Sequence, residues 1–173
     1  MKKNIVFFGA IALIFTALGI FWGNRQHQAQ ALENAAVSRL LEQTLPDTSG
    51  KPQALGQWKN KTLIVNFWAT WCAPCVDEMP ELSALQAEIA PAQIQIIGIG
   101  VDSAANIAEF AAKYKIAYPL YTGGMGAAEL SRHFGNKAGA LPFTVVIGRD
   151  GQVRKTYLGR LNMKELRNEL GTP

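Results

Sequence analysis

Residues 62–89, TLIVNFWATWCAPCVDEMPELSALQAEI, change from one backbone period to another within a few positions, and that change constrains the fold more than any other feature of the chain. TLIVNFWA is a compact run of β-branched and aromatic residues, with the length of a strand covered on both faces. From Ala73 onward, Val76, Met79, Leu82, Leu85 and Ile89 recur at steps of three and four, which is the apolar stripe of an amphipathic helix over 73–89. Pro80 falls inside that helix and is expected to kink its axis.

Both cysteines of the chain, Cys72 and Cys75, lie at this junction. Two cysteines separated by two residues can close a disulfide only where the backbone turns, and the first turn of a helix supplies that turn. At a helix N-terminus the unpaired N–H groups and the positive dipole end stabilise a thiolate at Cys72, making it the nucleophile. Cys75, one turn further in and less exposed, is placed to attack a mixed disulfide formed on Cys72. Pro74 suits the first turn, where its missing N–H would have had no intrahelical acceptor. Structural zinc requires four ligands, and the only histidines are His27 and His133, both far from the pair. A purely structural bridge would close so short a loop that it would constrain the unfolded chain little.

The remainder of the chain alternates. Pro46-Asp47-Thr48-Ser49-Gly50-Lys51-Pro52 is a turn between two short strands. QIQIIGIGV, residues 93–101, is a second buried strand, and Asp102-Ser103 stands at the cap of a helix bearing Ile107, Phe110, Ala111 and Tyr114. A short strand near 118–121, a glycine-rich loop at 122–126 and a helix over 127–134 come next. FTVVIG and VRKTYLG then form a hairpin about Arg149-Asp150-Gly151-Gln152, and a helix over 162–170 closes the chain. Strands alternating with helices and ending in a hairpin predict a central mixed sheet flanked by helices. GGMG at 123–126 lacks the lysine of a phosphate loop and reads as a turn. His133 reads as a helix-end residue, and Trp68 and Trp71 as packing around the cysteines, with Trp71 shielding the sulfurs from water.

Ahead of this unit, residues 5–23, IVFFGAIALIFTALGIFWG, form an apolar run broken only by Thr16. Its length matches a hydrocarbon core of roughly 30 Å at about 1.5 Å per residue. Lys2 and Lys3 precede it and Arg25 follows, so the positive-inside bias puts the N-terminus in the cytoplasm and the rest of the chain across the membrane. A signal peptide cleaved near Ala29-Gln30-Ala31 is the competing reading. The run exceeds the usual h-region, however, and Phe21-Trp22 resembles an interfacial belt, both of which favour a retained anchor. The expected organisation is an anchor over 1–24, a tether over 25–43 and one domain over 44–173. Beyond residue 30 the charges nearly balance, with 14 basic against 13 acidic residues, so the formal +4 belongs to the N-terminus and nucleic acid is not an expected partner.

TLIVNFWATWCAPCVDEMP resembles the active-site strand and helix of thioredoxin-fold proteins, and within them the membrane-tethered TlpA/ResA-like thiol-disulfide oxidoreductases. The tryptophan before the first cysteine and the proline between the two carry the likeness, which extends over roughly 45–170. It implies a thioredoxin-like fold with an N-terminal hairpin and a central insertion, here within 91–122. It further implies that Pro142 is a cis-proline facing the disulfide, that Leu141 offers backbone groups to an extended partner, and that Glu78 handles the proton of Cys75. Thioredoxins proper carry an aspartate six residues before the first cysteine; this chain has Asn66, which cannot take a proton. The resemblance implies no cofactor. It also implies an inner-membrane, periplasm-facing protein of bacteria that exchanges electrons with cysteines of exported proteins, such as apocytochromes c or copper-site assembly proteins, and is recharged by a membrane electron donor. The Ala-Pro dipeptide favours a reductant. A peroxiredoxin-type peroxidase and a thioredoxin-fold module that binds copper or assists cytochrome assembly are the alternatives.

Overall fold

The computed structural model describes residues 2–89 and 93–171, with only the backbone for 2–14 and 17. Two short strands, β1 (Thr44–Pro46) and β2 (Pro52–Ala54), pair antiparallel, and a 3-10 turn (Leu55–Trp58) follows. The turn between them is built by Asp47, whose Oδ1 accepts the N–H groups of Ser49 and Lys51 and whose Oδ2 accepts Gln53 Nε2. These neutral donors, the side chains of Ser49 and Gln53 above all, pull the Asp47 carboxyl down to about 2.

The main sheet has the order β5-β4-β3-β6-β7, formed by β3 (Thr62–Trp68), β4 (Ile94–Gly100), β5 (Leu120–Thr122), β6 (Phe143–Ile147) and β7 (Val153–Leu158). β3, β4 and β5 run parallel, while β6 is antiparallel to both β3 and β7, which gives the mixed sheet that the alternation predicts. β3 occupies the centre. Because strand side chains alternate faces, Leu63, Val65 and Phe67 point one way and Ile64, Asn66 and Trp68 the other. The second set faces α2 (Ala73–Ile89), α3 (Ala104–Tyr114) and α5 (Met163–Glu169), in a core with Met79, Leu82, Phe110 and Leu166. The first set packs with Ile97, Ile99, Val145 and the α4 (Gly124–His133) residues Ala127 and Leu130.

Several expectations shift by a few residues. α4 begins at Gly124, so GGMG is the start of a helix instead of a loop. β5 lies at 120–122, and Ser103, not Asp102, caps α3 by accepting Asn106 N–H. The range 91–122 contains β4, a central strand paired with β3 along its whole length, so what the chain adds beyond β4 is α3 and the edge strand β5.

α1 (Lys2–Leu41) is one continuous helix. Its last turns are not a free tether: Ala36, Val37 and Leu40 are buried against the α4 face of the sheet. Most of the apolar run at 5–23, the expected anchor, lies outside the residues whose side chains are described. Among the described residues no helix is long and apolar enough to cross a membrane.

Candidate active site

β3 delivers the chain to the cysteines. It ends at Trp68, three residues turn, and α2 starts at Ala73 with Cys72 at its cap, where the Cys72 carbonyl accepts the N–H groups of Cys75 at 3.0 Å and Val76 at 3.1 Å. Cys72 and Cys75 are joined as a disulfide, with Cα atoms 5.3 Å apart. No acidic side chain occupies the first turn of the 17-residue helix, so nothing there offsets the positive end of its dipole. Cys72 is 7% exposed and Cys75 0%, which leaves Cys72 as the sulfur within reach of an incoming group.

The Leu141–Pro142 peptide bond is cis. Phe143 pairs with Phe67, so Pro142 stands at the end of the sheet from which the cysteine turn departs. Leu141 packs on the apolar cluster that contains both cysteines, and the Pro142 carbonyl accepts Gly159 N–H at 2.9 Å.

Beneath the disulfide lies a buried polar group of residues. Glu78, three residues after Cys75 and on its face of α2, is fully buried. Its Oε1 accepts Asn66 Nδ2 at 2.8 Å and its Oε2 accepts Leu161 N–H at 2.8 Å. Asn66 also donates to Thr144 Oγ1 at 3.0 Å, its register partner on β6. Burial pushes the Glu78 carboxyl up to about 7; the Leu161 and Asn66 donors oppose the rise without cancelling it. Tyr118, also buried, has its hydroxyl raised by desolvation and then by the charge of Glu78. The Asn66 Oδ1, Trp68 Nε1 and Tyr118 hydroxyl are buried with no hydrogen-bond partner among the described residues. Asn66 therefore suits either state of its neighbour, presenting N–H to a carboxylate and, with the amide turned over, oxygen to a carboxylic acid.

Sequence reasoning placed Cys72, Pro74, Cys75, Glu78, Asn66, Leu141 and Pro142 in one neighbourhood, and the fold assembles them there. It missed Thr144 and Leu161. Thr144 had a signal, as the single hydroxyl in FTVVI on the face that Asn66 also uses. Asp102, expected as a cap, ties the cysteine turn to α3, accepting the Thr70 hydroxyl on one side and Ser103 N–H and Asn106 Nδ2 on the other. Trp71 is 70% exposed, so it supplies no packing: the apolar space under the turn is already filled by Trp68 against Phe110. Thr70, Val76, Phe110, Lys113 and Tyr114 line a cleft beside the turn. Among the described residues no three His, Cys, Asp or Glu side chains gather as a metal set.

A mixed sheet of this order, with a paired Cys-x-x-Cys capping the helix after its central strand and a cis-proline at the same end, defines a thiol-disulfide oxidoreductase of the thioredoxin fold. The chain belongs to the Redoxin family, whose model matches residues 29–170. It is similar to the thiol-disulfide oxidoreductase ResA of Geobacillus thermodenitrificans, at 27% identity over 73% of this chain and 71% of that protein. The ResA of Bacillus cereus is 26% identical over 98% of this chain and 97% of its own. A thiol:disulfide interchange protein of the thioredoxin family from Chlorobium tepidum superposes with a TM-score of 0.62 at 26% identity, covering 75% of this chain and 94% of that one.

Proposed function

We propose that this protein reduces disulfides of exported proteins, with Cys72 as nucleophile, Cys75 as resolving thiol and Glu78 as the acceptor of the Cys75 proton. The observation that carries the proposal is the stacking of these three groups along α2, from a marginally exposed sulfur through a buried one to a buried carboxylate. In the reduced form the Cys72 thiolate attacks one sulfur of a client disulfide and expels the other as a thiolate, which takes a proton from solvent. Cys75 passes its proton to the Glu78 carboxylate, and its thiolate attacks Cys72 Sγ. That step closes the Cys72–Cys75 bond, releases the second client thiolate and moves two electrons to the client. Leu141 and Pro142 border the path along which an extended client segment would lie.

The donor that restores the dithiol is a reduced membrane protein, and the clients are cysteine-bearing exported proteins such as apocytochromes c or copper-site assembly proteins. The apolar run at 5–23 with Lys2 and Lys3 before it supports a single-pass inner-membrane anchor and a periplasmic domain. The ResA names of the relatives support the oxidoreductase assignment.

The test is a trap. Cys75→Ser should stall Cys72 in a mixed disulfide whose attached protein, once identified, names the client, while Cys72→Ser should trap nothing. A reduction potential near the −120 mV or so of a strong oxidant, instead of the roughly −270 mV of thioredoxin, would overturn the direction.

A further inference from the structure

Between β7 and α5 the chain passes through Gly159-Arg160-Leu161-Asn162, and this short passage is pinned to both sides of the site. Gly159, at φ +87°, turns the chain and donates its N–H to the Pro142 carbonyl at 2.9 Å. Leu161 donates its N–H to Glu78 Oε2 at 2.8 Å, and Asn162 caps α5 by accepting Lys164 and Glu165 N–H groups. Between the two pinned amides Arg160 reaches back across α2, where its Nη2 donates to Glu81 Oε1 at 2.7 Å. Glu81 follows Glu78 by three residues on the same helix, and the buried carboxyl feels the charges of both members of the pair.

We infer that Arg160 is a positioning residue for Glu78: braced on Glu81, it holds the Leu161 N–H against the buried carboxylate and so fixes the pH at which Glu78 takes up or gives up its proton. An exposed ion pair contributes little to stability, and Arg160 and Glu81 are each about half exposed. The consequence of the pair is therefore geometric. The N–H it steadies is the largest influence holding the Glu78 carboxyl down against burial, and the Arg160 charge acts in the same direction. The other groups facing Glu78 are Asn66 from β3, the Tyr118 hydroxyl from the segment before β5, and Glu81, whose charge opposes that of Arg160.

The consequence for exchange rests on the reading of Glu78 as proton acceptor, but the titration of Glu78 does not. In the oxidised full-length protein labelled with 13C at glutamate carboxyls, the Glu78 signal is identified by its loss in Glu78→Gln and followed against pH. Arg160→Ala should raise its midpoint by roughly half to one unit, a proton held about three- to tenfold tighter. Arg160→Gln should do the same, and Arg160→Lys should recover at least half of the shift. Arg132→Ala, which breaks a comparable exposed pair with Glu129 on α4, should leave the midpoint in place. In insulin reduction, the pH at which the rate is half-maximal should move with the midpoint. An unmoved midpoint in Arg160→Ala, an equal shift in Arg132→Ala, or no recovery in Arg160→Lys overturns the inference. Normal exchange by Glu78→Gln would instead remove the proton role while leaving the titration result standing.

Discussion

Asp47 and Glu78 are both carboxylates held by neutral hydrogen-bond donors, and they move in opposite directions. Asp47 sits in the β1–β2 turn, where two side chains and two backbone amides settle it near 2. Glu78 accepts one amide side chain and one backbone N–H, yet stands near 7 because its surroundings are the apolar cluster of α2, β3 and Trp68. Two good hydrogen bonds do not replace the water that a fully buried carboxylate has lost, whereas in a surface turn they add to water that is still present. The chain thus places a strong acid where it organises a turn, and a group that titrates near neutrality within one helical turn of Cys75.

The largest expected effect separates the two by stability. For Glu78 the folded value lies above the unfolded one, so the unfolded chain loses its proton first as pH rises. Stability should fall between about pH 4.5 and pH 7 and level off above, by about 3 kcal/mol in all. Glu78→Gln should abolish that slope in urea unfolding and leave the variant more stable than the parent at pH 8. In exchange assays the same variant should resolve mixed disulfides about a hundredfold more slowly, the range expected when a proton acceptor is removed. A parent whose stability is flat from pH 5 to pH 8 would show that the buried carboxyl titrates as an ordinary one.

How much of this contrast the sequence reveals depends on how far apart the partners lie along the chain. The spacing of Cys72, Cys75 and Glu78 on one helix face is a local, 3.6-residue matter, and periodicity alone sets it. The face of Asn66 is equally local, since it alternates in register with Ile64 and Trp68. The raised affinity of Glu78 for its proton is not local. It comes from burial in an apolar cluster drawn from other elements, and the N–H that opposes it most belongs to Leu161, 83 residues away. The end of α1 failed to announce itself for a related reason: Ala36, Val37 and Leu40 form so narrow a stripe that only the presence of α4 and the 3-10 turn across from it makes them core. Trp71 misleads in the other direction. A tryptophan beside a cysteine reads as packing, and only the prior claim of Trp68 on that space turns it outward.

A second, smaller effect sharpens the comparison from the β3 side. Asn66→Ala removes one of the two donors that favour ionised Glu78 and leaves Thr144 Oγ1 without its neighbour. The Glu78 midpoint should climb above 7 by up to about a unit. The variant should also lose roughly 1–3 kcal/mol for the broken buried bonds. Carboxyl 13C shifts and urea unfolding at pH 5 read the two separately, and a midpoint at or below that of the parent would mean that Asn66 does not favour the charged form.

The smallest effect belongs to Asp47. Its folded value lies below the unfolded one, so the stability it contributes is complete above about pH 4 and is lost as pH falls through about 2. Asp47→Asn keeps an acceptor for the Ser49 and Lys51 N–H groups but gives up the charge that strengthens them. The expected result is a loss of only a few degrees in Tm at pH 7, a smaller loss at pH 2, and exchange kinetics indistinguishable from the parent, because the turn meets the main sheet at Tyr121, on the edge strand away from β6. If Asp47→Asn instead altered the pH profile of exchange, the two carboxylates would be coupled through β5 and Tyr118, and the separation drawn between a turn-forming acid and a proton-handling one would fail.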